Sequence, residues 1–501
     1  MREVSDEIYW ALIFGGNIPI WDNDVSAEFI EAAMDCTPEI KSFVDQNLNL
    51  SALDRTTLDT QSITQSALKY IVTSLRADIF GRRLLQSYYN KFIEHHADDF
   101  IETFNNTHGR RILFTSLVPY FHILRESIAL RKQGFSTYLI ALDMQDEEMT
   151  ALFEDNFDAV LTLPNNLEIL GAVLSQLEPE LIHIQCTQLQ LNTPFYRYVL
   201  EHKGNAKAVC AWRDILSLFI NKDTFDAEMP DMSDYSYNSE RIAFELGDGH
   251  TCRFSKHARE ILRQRYPNAG PIIEMHPYPS TEFFDTRTKK YSDADGTPHI
   301  VFAGQVSHTN PDGTSTWPRI RSISTNMPNL VKRMTAQGIK VDLLMLPEQS
   351  RDDPGLIVFR EMEEVDTNFR LLEGVPPSRL ANTLTRYDFG FNLAAMHRDD
   401  LDDELTHYDA IGTKQFSYLE AGIPVILSAE FEHAARLINE EGLGITIAFE
   451  DLNTLAQKIR DFDYQNCLEN IRRYNQEHNM DREVWRLIDL YENLVPEWKL
   501  K

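Results

Sequence analysis

The chain has 501 residues, 43% of them hydrophobic and 25% charged, and its 77 acidic and 48 basic residues give a formal net charge of −29. This length suits two domains of ordinary size plus an extension, and it excludes a single small binding module. The negative charge repels phosphate backbones, which argues against nucleic acid as a partner.

Cysteine usage and hydropathy favour a reducing, cytoplasmic setting. The five cysteines lie far apart without a C-x-x-C pair, which argues against a disulfide framework and a zinc site. The apolar run near the N-terminus is too short for a signal peptide, and no stretch approaches the roughly 18 to 20 apolar residues of a membrane span. Any membrane contact would therefore be peripheral, at the inner face. The residues do not fix an oligomeric state.

Residues 1–108 are predicted to form a helical extension, because they show helical spacing of apolar residues and almost no strand pattern. The extension would either cap and stabilise the body of the protein or take part in substrate recognition. The apolar positions that recur in its second half are Ile71, Leu75, Ile79, Leu84, Leu85 and Phe92.

Residues 109–290 alternate short apolar strands with amphipathic helices, beginning with the strand "RRILFTS" and the helix "HILRESIALRKQG" that closes at Gly134. The stretch from Asp214 to about Ser239 is predicted to be less regular. After a polar linker between Phe284 and Pro298, the same alternation restarts over residues 298–480, and a C-terminal helix in residues 481–501 is expected to pack back on the first domain. The fold class is therefore α/β, with two tandem Rossmann-like domains and an N-terminal helical extension.

In open parallel sheets, ligands bind outside the carboxyl ends of the strands. The segment "GTKQFSYLEAGIPVI" is the most specific feature of this kind. Thr413 is the predicted N-cap of a helix, Lys414 lies in its first turn, and Gly422 is placed for a left-handed C-terminal cap. Free N–H groups, the helix dipole and the Lys414 ammonium would suit a diphosphate, and Gly412 permits its close approach.

The spacing of this segment resembles the GT-B glycosyltransferases, in particular the retaining, glycogen-synthase-like (family 4 type) transferases that use nucleotide sugars. Those enzymes have two acids eight positions apart before an Ala-Gly-x-Pro-Val run, where this chain has Asp409 and Ser417 before "EAGIPVI". The resemblance implies that Asp409 holds hydroxyls of the donor sugar and that Ser417 faces the ribose, with weaker bonds than an acid would make. Glu420 would either replace the missing acid or be a surface residue.

The resemblance extends to other loops of the second domain. It implies that Gly304, after the strand "HIVFA", lies beside the phosphates and that Gly374 and Val375 lie near the base. Arg319 and Arg321 are the cations nearest to the position where the family neutralises the diphosphate. They would either bind the phosphates or be exposed charges at a helix start.

Two residues of the first domain are candidates for catalysis. His122, at the start of a helix facing the cleft, would be an acceptor-positioning residue or a base, or alternatively a capping or packing residue. Asp214 follows a strand at the same edge and would act in the site or form a structural ion pair. The acidic run "HRDDLDDELTHYD" is interpreted as a solvated loop, because the resembled enzymes need neither metal nor cofactor apart from the donor.

The leading hypothesis is transfer of a sugar from a nucleoside-diphosphate sugar to a glycan, lipid-linked or protein acceptor, in surface polysaccharide or glycoconjugate synthesis, with retention of configuration. One alternative is a GT-B isomerase, such as a sugar-nucleotide epimerase, or a phosphorylase. The other is a degenerate transferase fold kept for binding or scaffolding. The residues name neither the sugar, the base nor the acceptor.

Overall fold

The computed structural model describes residues 93, 95–144, 147–163, 167–186, 192–219, 222–223, 226, 230–285, 289–306, 327–393 and 409–499. Most of the predicted helical extension, including the apolar positions from Ile71 to Phe92, lies outside the described residues. Arg319, Arg321 and the acidic run as far as residue 408 also lie outside them.

Strands and helices alternate along the described chain. The strands are β1 (Arg111–Ser116), β2 (Ser136–Ala141), β3 (Ala159–Thr162), β4 (Leu181–Cys186), β5 (Lys207–Trp212), β6 (Gly249–Cys252), β7 (Ile272–Glu274), β8 (His299–Ala303), β9 (Lys340–Leu344), β10 (Phe369–Leu372), β11 (Phe389–Asn392), β12 (Val425–Ser428) and β13 (Gly444–Ile447). The helices are α1 (Asp98–Asn106), α2 (Phe121–Lys132), α3 (Glu147–Asn156), α4 (Leu167–Leu174), α5 (Asn192–His202), α6 (Leu216–Phe219), α7 (Pro230–Leu246), α8 (Lys256–Arg265), α9 (Ser292–Asp295), α10 (Met327–Thr335), α11 (Ile357–Val365), α12 (Pro377–Leu384), α13 (Thr413–Glu420), α14 (Glu432–Glu441), α15 (Leu455–Arg460), α16 (Tyr464–Glu477), α17 (Met480–Glu483) and α18 (Trp485–Leu494).

The strands form two sheets, and in each of them the first strand in the chain lies inside the sheet with later strands on both sides. The first is ordered β3-β2-β1-β4-β5-β6-β7 and the second β10-β9-β8-β11-β12-β13. Strands β1 and β4 to β7 pair in parallel, and so do all neighbours in the second sheet. The strand order reverses between β1 and β4 in the first sheet and between β8 and β11 in the second. Doubly wound folds bind ligands at such a switch point. The predicted pair of Rossmann-like domains is confirmed.

The chain divides into two compact units. The described part of the smaller unit consists of residues 93, 95–106, 140–143, 161–163 and 167–178. Within this unit, Asn105 connects α1 to the segment that follows α4. The Asn105 side chain donates to the Gln176 carbonyl (2.9 Å) and accepts from the Glu178 amide (3.1 Å). The larger unit comprises the described residues of 107–139, 144–160 and 179–501. All contacts below lie within this larger unit.

Local sequence signals account for the boundaries of several helices. Gly134 and Gly422 adopt left-handed conformations (φ 78° and 66°) just beyond α2 and α13, as predicted. The prediction of irregular structure from Asp214 to Ser239 is wrong for residues that belong to α6 and α7, because α7 begins at Pro230. A proline suits the first helical residue, since its missing N–H has no partner there and its φ is already helical.

The C-terminal helix α18 packs on the first Rossmann-like domain. The Tyr491 hydroxyl lies 2.5 Å from Nδ1 of His183, which is on β4. Arg110, beside β1, donates to Glu492 at 3.4 Å, and the Trp498 indole donates to Glu180 at 2.9 Å. Within the described residues, no helix is both long and apolar enough to span a membrane.

A buried ion pair joins the two Rossmann-like domains. Arg125 on α2 is fully buried and donates to Glu420 at the end of α13 at 2.5 Å. The other Glu420 oxygen accepts from the Ser280 amide at 2.8 Å. Burial raises the pKa of Glu420, against the opposing effect of Arg125 and the Ser280 amide. The end of α13 is therefore fixed to the first domain.

We expect Glu420→Gln to lower the free energy of unfolding by about 3 kcal/mol, because it leaves the buried Arg125 charge without a carboxylate. The surface pair Arg197–Glu201, whose Glu201 side chain is 41% exposed, supplies the control. Glu201→Gln should cost at most about 1 kcal/mol. Urea unfolding followed by circular dichroism measures the free energy of unfolding of both variants. Equal losses in the two variants would contradict the larger stabilisation expected from the buried pair.

Candidate functional site

Strand β8 ends against the side chain of Lys414. Gly304, the residue after this strand, has φ 146°, and a Cβ there would lie only 2.5 Å from Lys414 Cε. The Lys414 ammonium lies 5.1 Å from the centre of the Phe302 ring. The chain thus brings a lysine to the switch point of the second sheet, and only a glycine leaves room for it.

Helix α13 begins one residue earlier than the sequence predicts. Gly412 is its N-cap, with φ −82° and ψ 158°, and Thr413 is the first helical residue. The prediction of Thr413 as N-cap is therefore wrong, and no side chain caps this helix. A glycine cap leaves the first amides of the helix free to bind another acceptor. The buried Gln415 Oε1 also makes no hydrogen bond within the described chain.

Two arginines of the first domain approach Lys414. Arg213 follows β5 and Arg253 follows β6, at the carboxyl ends of neighbouring strands. Burial, and then the charges of Arg213 and Arg253, lower the pKa of Lys414 from 10.5 to about 8. The structure thus gathers three cations from both domains, and this gathering is typical of an anion site. Arg253 was not singled out from the sequence, although its position directly after an apolar strand is the signal that pointed to Asp214.

Asp214 forms an ion pair with Arg253. Its Oδ1 accepts from Arg253 Nη2 at 2.9 Å, while Arg253 also donates to the carbonyl of Arg213 at 2.6 Å and to that of Ile411 at 3.2 Å. This contact supports the alternative that Asp214 forms a structural ion pair. The catalytic role of Asp214 stays a prediction. Arg213 lies over the ring of Tyr120 at 4.3 Å.

His122 is the second residue of α2 and is half-buried. The N-cap of this helix is Tyr120, so the alternative that His122 caps it is wrong. Burial and the nearby charge of Arg213 lower the pKa of His122 well below its usual value. The imidazole is therefore neutral at physiological pH and can accept a hydrogen bond at one ring nitrogen.

The segment before α13 pairs with the end of β6. Phe254 and Ala410 form an antiparallel bridge, the Ser255 amide donates to the Asp409 carbonyl at 2.9 Å, and the Ile411 amide donates to the Arg253 carbonyl at 3.2 Å. The backbone of Asp409 is thereby fixed beside Arg253. Its role toward a sugar stays a prediction.

Ser417 and Glu420 are buried on α13 (8% and 3% exposed). The Ser417 hydroxyl lies 3.5 Å from Arg125 Nη2 and 3.5 Å from the Thr413 carbonyl. The alternative that Glu420 is a surface residue is wrong. Both of its carboxylate oxygens already accept bonds from the chain, so a ribose would have to displace Arg125 or the Ser280 amide.

Gly374 and Val375 follow β10, at the same sheet edge as Gly304. A Cβ on Gly374 would lie 2.4 Å from the backbone of Leu346. The close approach of these two backbone segments is therefore a sufficient reason for a glycine here, without any ligand. Val375 is half-buried. Their contact with a base stays a prediction, as does the role of Arg319 and Arg321, which lie outside the described residues.

The second domain matches a family of sugar-transferring domains. Residues 347–480 match the sequence model of the "Glucosyltransferase 3-like, C-terminal domain". This match covers β10 to β13 and helix α13 with Lys414, whereas Gly304, Arg213 and Arg253 lie outside it. No curated protein matches the sequence.

Solved structures share the arrangement of the two sheets. Anabaena Alr3699/HepE, solved in complex with UDP and glucose, is 11% identical with a TM-score of 0.52, covering 77% of this chain and 100% of its own. A variant of the O-GlcNAc transferase of Thermobaculum terrenum is 12% identical with a TM-score of 0.50, covering 99% of both chains. The two parallel-sheet domains therefore have the fold of GT-B glycosyltransferase structures.

Proposed function

We propose that this chain is a glycosyltransferase, which moves a sugar from a nucleoside-diphosphate sugar to a glycan, lipid-linked or protein acceptor. The observation that carries the proposal is that Arg253, which donates to the Ile411 carbonyl just before α13, and Arg213 act on the buried Lys414 at the uncapped start of this helix. A diphosphate brings negative charge, which these three cations and the helix dipole would stabilise as it leaves the sugar. The glucosyltransferase-like sequence match falls on the same domain.

Each part of the site has a role in this reaction. The amides of Gly412 and Thr413 and the Lys414 ammonium bind the diphosphate, and Gly304 lets it approach the backbone. Asp409 binds hydroxyls of the donor sugar, and neutral His122 positions the acceptor hydroxyl or takes its proton. The donor nucleotide is the only small molecule that this mechanism requires.

The finer points of the proposal rest on the resemblance of residues 409–426 to the retaining enzymes. They are retention of the anomeric configuration and a place in polysaccharide or glycoconjugate synthesis. The four described cysteines are free and buried, as expected in a reducing compartment. We therefore place the activity in the cytoplasm, with peripheral contact at the inner face of the membrane when the acceptor is lipid-linked.

Nucleotide binding is tested by thermal shift and calorimetry with UDP, GDP, ADP and their sugars. We expect one nucleotide series to stabilise the protein, and Lys414→Met to weaken its binding by about 10- to 100-fold, since a hydrogen bond to a charged group contributes about 1.5–3 kcal/mol. Lys332→Met, an exposed lysine on α10 of the same domain, is the control and should leave affinity unchanged.

The products of the same experiment separate the proposal from its rivals. Without acceptor, accumulation of an epimerised nucleotide sugar would favour an epimerase. If neither the native chain nor Ser417→Glu binds any nucleotide, the scaffold alternative gains and the transferase proposal fails. With acceptor present, release of nucleoside diphosphate together with a glycosylated product is the expected result.

The pH dependence of binding tests Lys414 in particular. Because its pKa is about 8, the ammonium is largely present below that pH and lost as the pH rises through it. The affinity for a nucleoside diphosphate should therefore fall between pH 7 and pH 9, where the phosphates, with a last pKa of about 6, stay ionised. Lys414→Arg should flatten this profile, since arginine keeps its charge. An unchanged slope in that variant would contradict the assignment.

A further inference from the structure

A histidine and carboxylate cluster lies apart from the proposed diphosphate site. Glu274 ends β7, His276 follows two residues later, and His433 lies in the first turn of α14. One nitrogen of each histidine and one oxygen of Glu274 all lie within 4.8 Å of one another. His276 Nε2 is 2.8 Å and His433 Nε2 is 3.2 Å from the same oxygen, Glu274 Oε1.

These atoms suit a transition-metal ion in type and in spacing. Two imidazole nitrogens and one carboxylate oxygen form a ligand set that binds zinc and leaves a fourth position open. Zinc bonds of about 2.0–2.2 Å put tetrahedral ligand atoms about 3.4 Å apart. The observed separations of 2.8 and 3.2 Å need only a small expansion to accept an ion.

The surroundings hold the ligands in place. Arg259 donates to the other oxygen of Glu274, Oε2, at 2.5 Å, which leaves Oε1 directed at the histidines. The His276 ring packs beside Tyr278 (5.4 Å between centroids) and Phe416 of α13 (6.2 Å). Such partners around the ligands orient metal sites in general.

We propose that Glu274, His276 and His433 bind a divalent first-row transition cation, which cross-links the two Rossmann-like domains. Glu274 ends the edge strand of the first sheet and His276 follows it, whereas His433 belongs to the helix after β12 of the second sheet. The ion holds the domains together beside α13 and takes no part in leaving-group chemistry. The expectation of a metal-free reaction at the diphosphate site is thus untouched.

The test uses full-length, tag-free protein that has been stripped with chelator and titrated with ZnCl2. We expect one equivalent of Zn²⁺ to bind in competition with a chromophoric chelator and to raise the melting temperature. Co²⁺ in its place should give the intense visible absorption of a four-coordinate site. The readouts require no nucleotide, so failure of the proposed transferase activity would leave them unaffected.

His433→Gln and His276→Gln should each abolish stoichiometric uptake, because an amide keeps a polar contact with Glu274 but is a poor zinc ligand. His257→Ala removes an exposed histidine of α8 and serves as the matched control, which should bind like the native chain. The proposal is overturned if the native chain takes up no stoichiometric zinc, or if both glutamine variants bind as tightly as the control. In either case the cluster is a hydrogen-bonded network around one shared carboxylate.

Discussion

The structure depends on one buried ion pair between domains. Removing a guanidinium and a carboxylate from water is costly, and only good geometry with further hydrogen bonds offsets that cost. Arg125 and Glu420 meet this condition, since the second carboxylate oxygen binds the Ser280 amide. The pair fixes the end of α13, and the short helix carries that constraint to its start at Gly412. The position of Lys414 relative to the first domain follows from this contact.

Arg213 and Arg253 add their positive charge to that of Lys414, which makes the start of α13 a candidate site for an anion. Lowering the lysine pKa from 10.5 to about 8 corresponds to about 3 kcal/mol against its charged form. A bound diphosphate would offset this penalty, because its negative charge favours the ammonium form of Lys414. The charges of Arg213 and Arg253 add to the larger effect of burial, and an anion would be attracted by all three cations.

Periodicity and turn signals predicted the two Rossmann-like domains and the helix α13, because these features depend on residues that are close together in the sequence. Contacts between distant residues could not be predicted in that way. Arg125 and Glu420 are separated by 295 positions, and His433 and Glu274 by 159. Strand order and domain packing bring them together, and neither leaves a local pattern. The contact of Arg253 with the Ile411 carbonyl is of the same kind, because it joins residues 158 positions apart.

One antiparallel bridge, between Phe254 and Ala410, attaches the segment before α13 to the first domain. Its backbone bonds to Ser255 and Arg253 would break if the domains moved apart. Any separation of the two domains would therefore change the position of Asp409, so a ligand that binds this segment only in the paired arrangement would favour that arrangement. By the reciprocity of linked equilibria, an acceptor that holds the domains together would tighten the donor's binding by the same factor. The backbone contact between the two domains would thus couple the binding of the two proposed substrates.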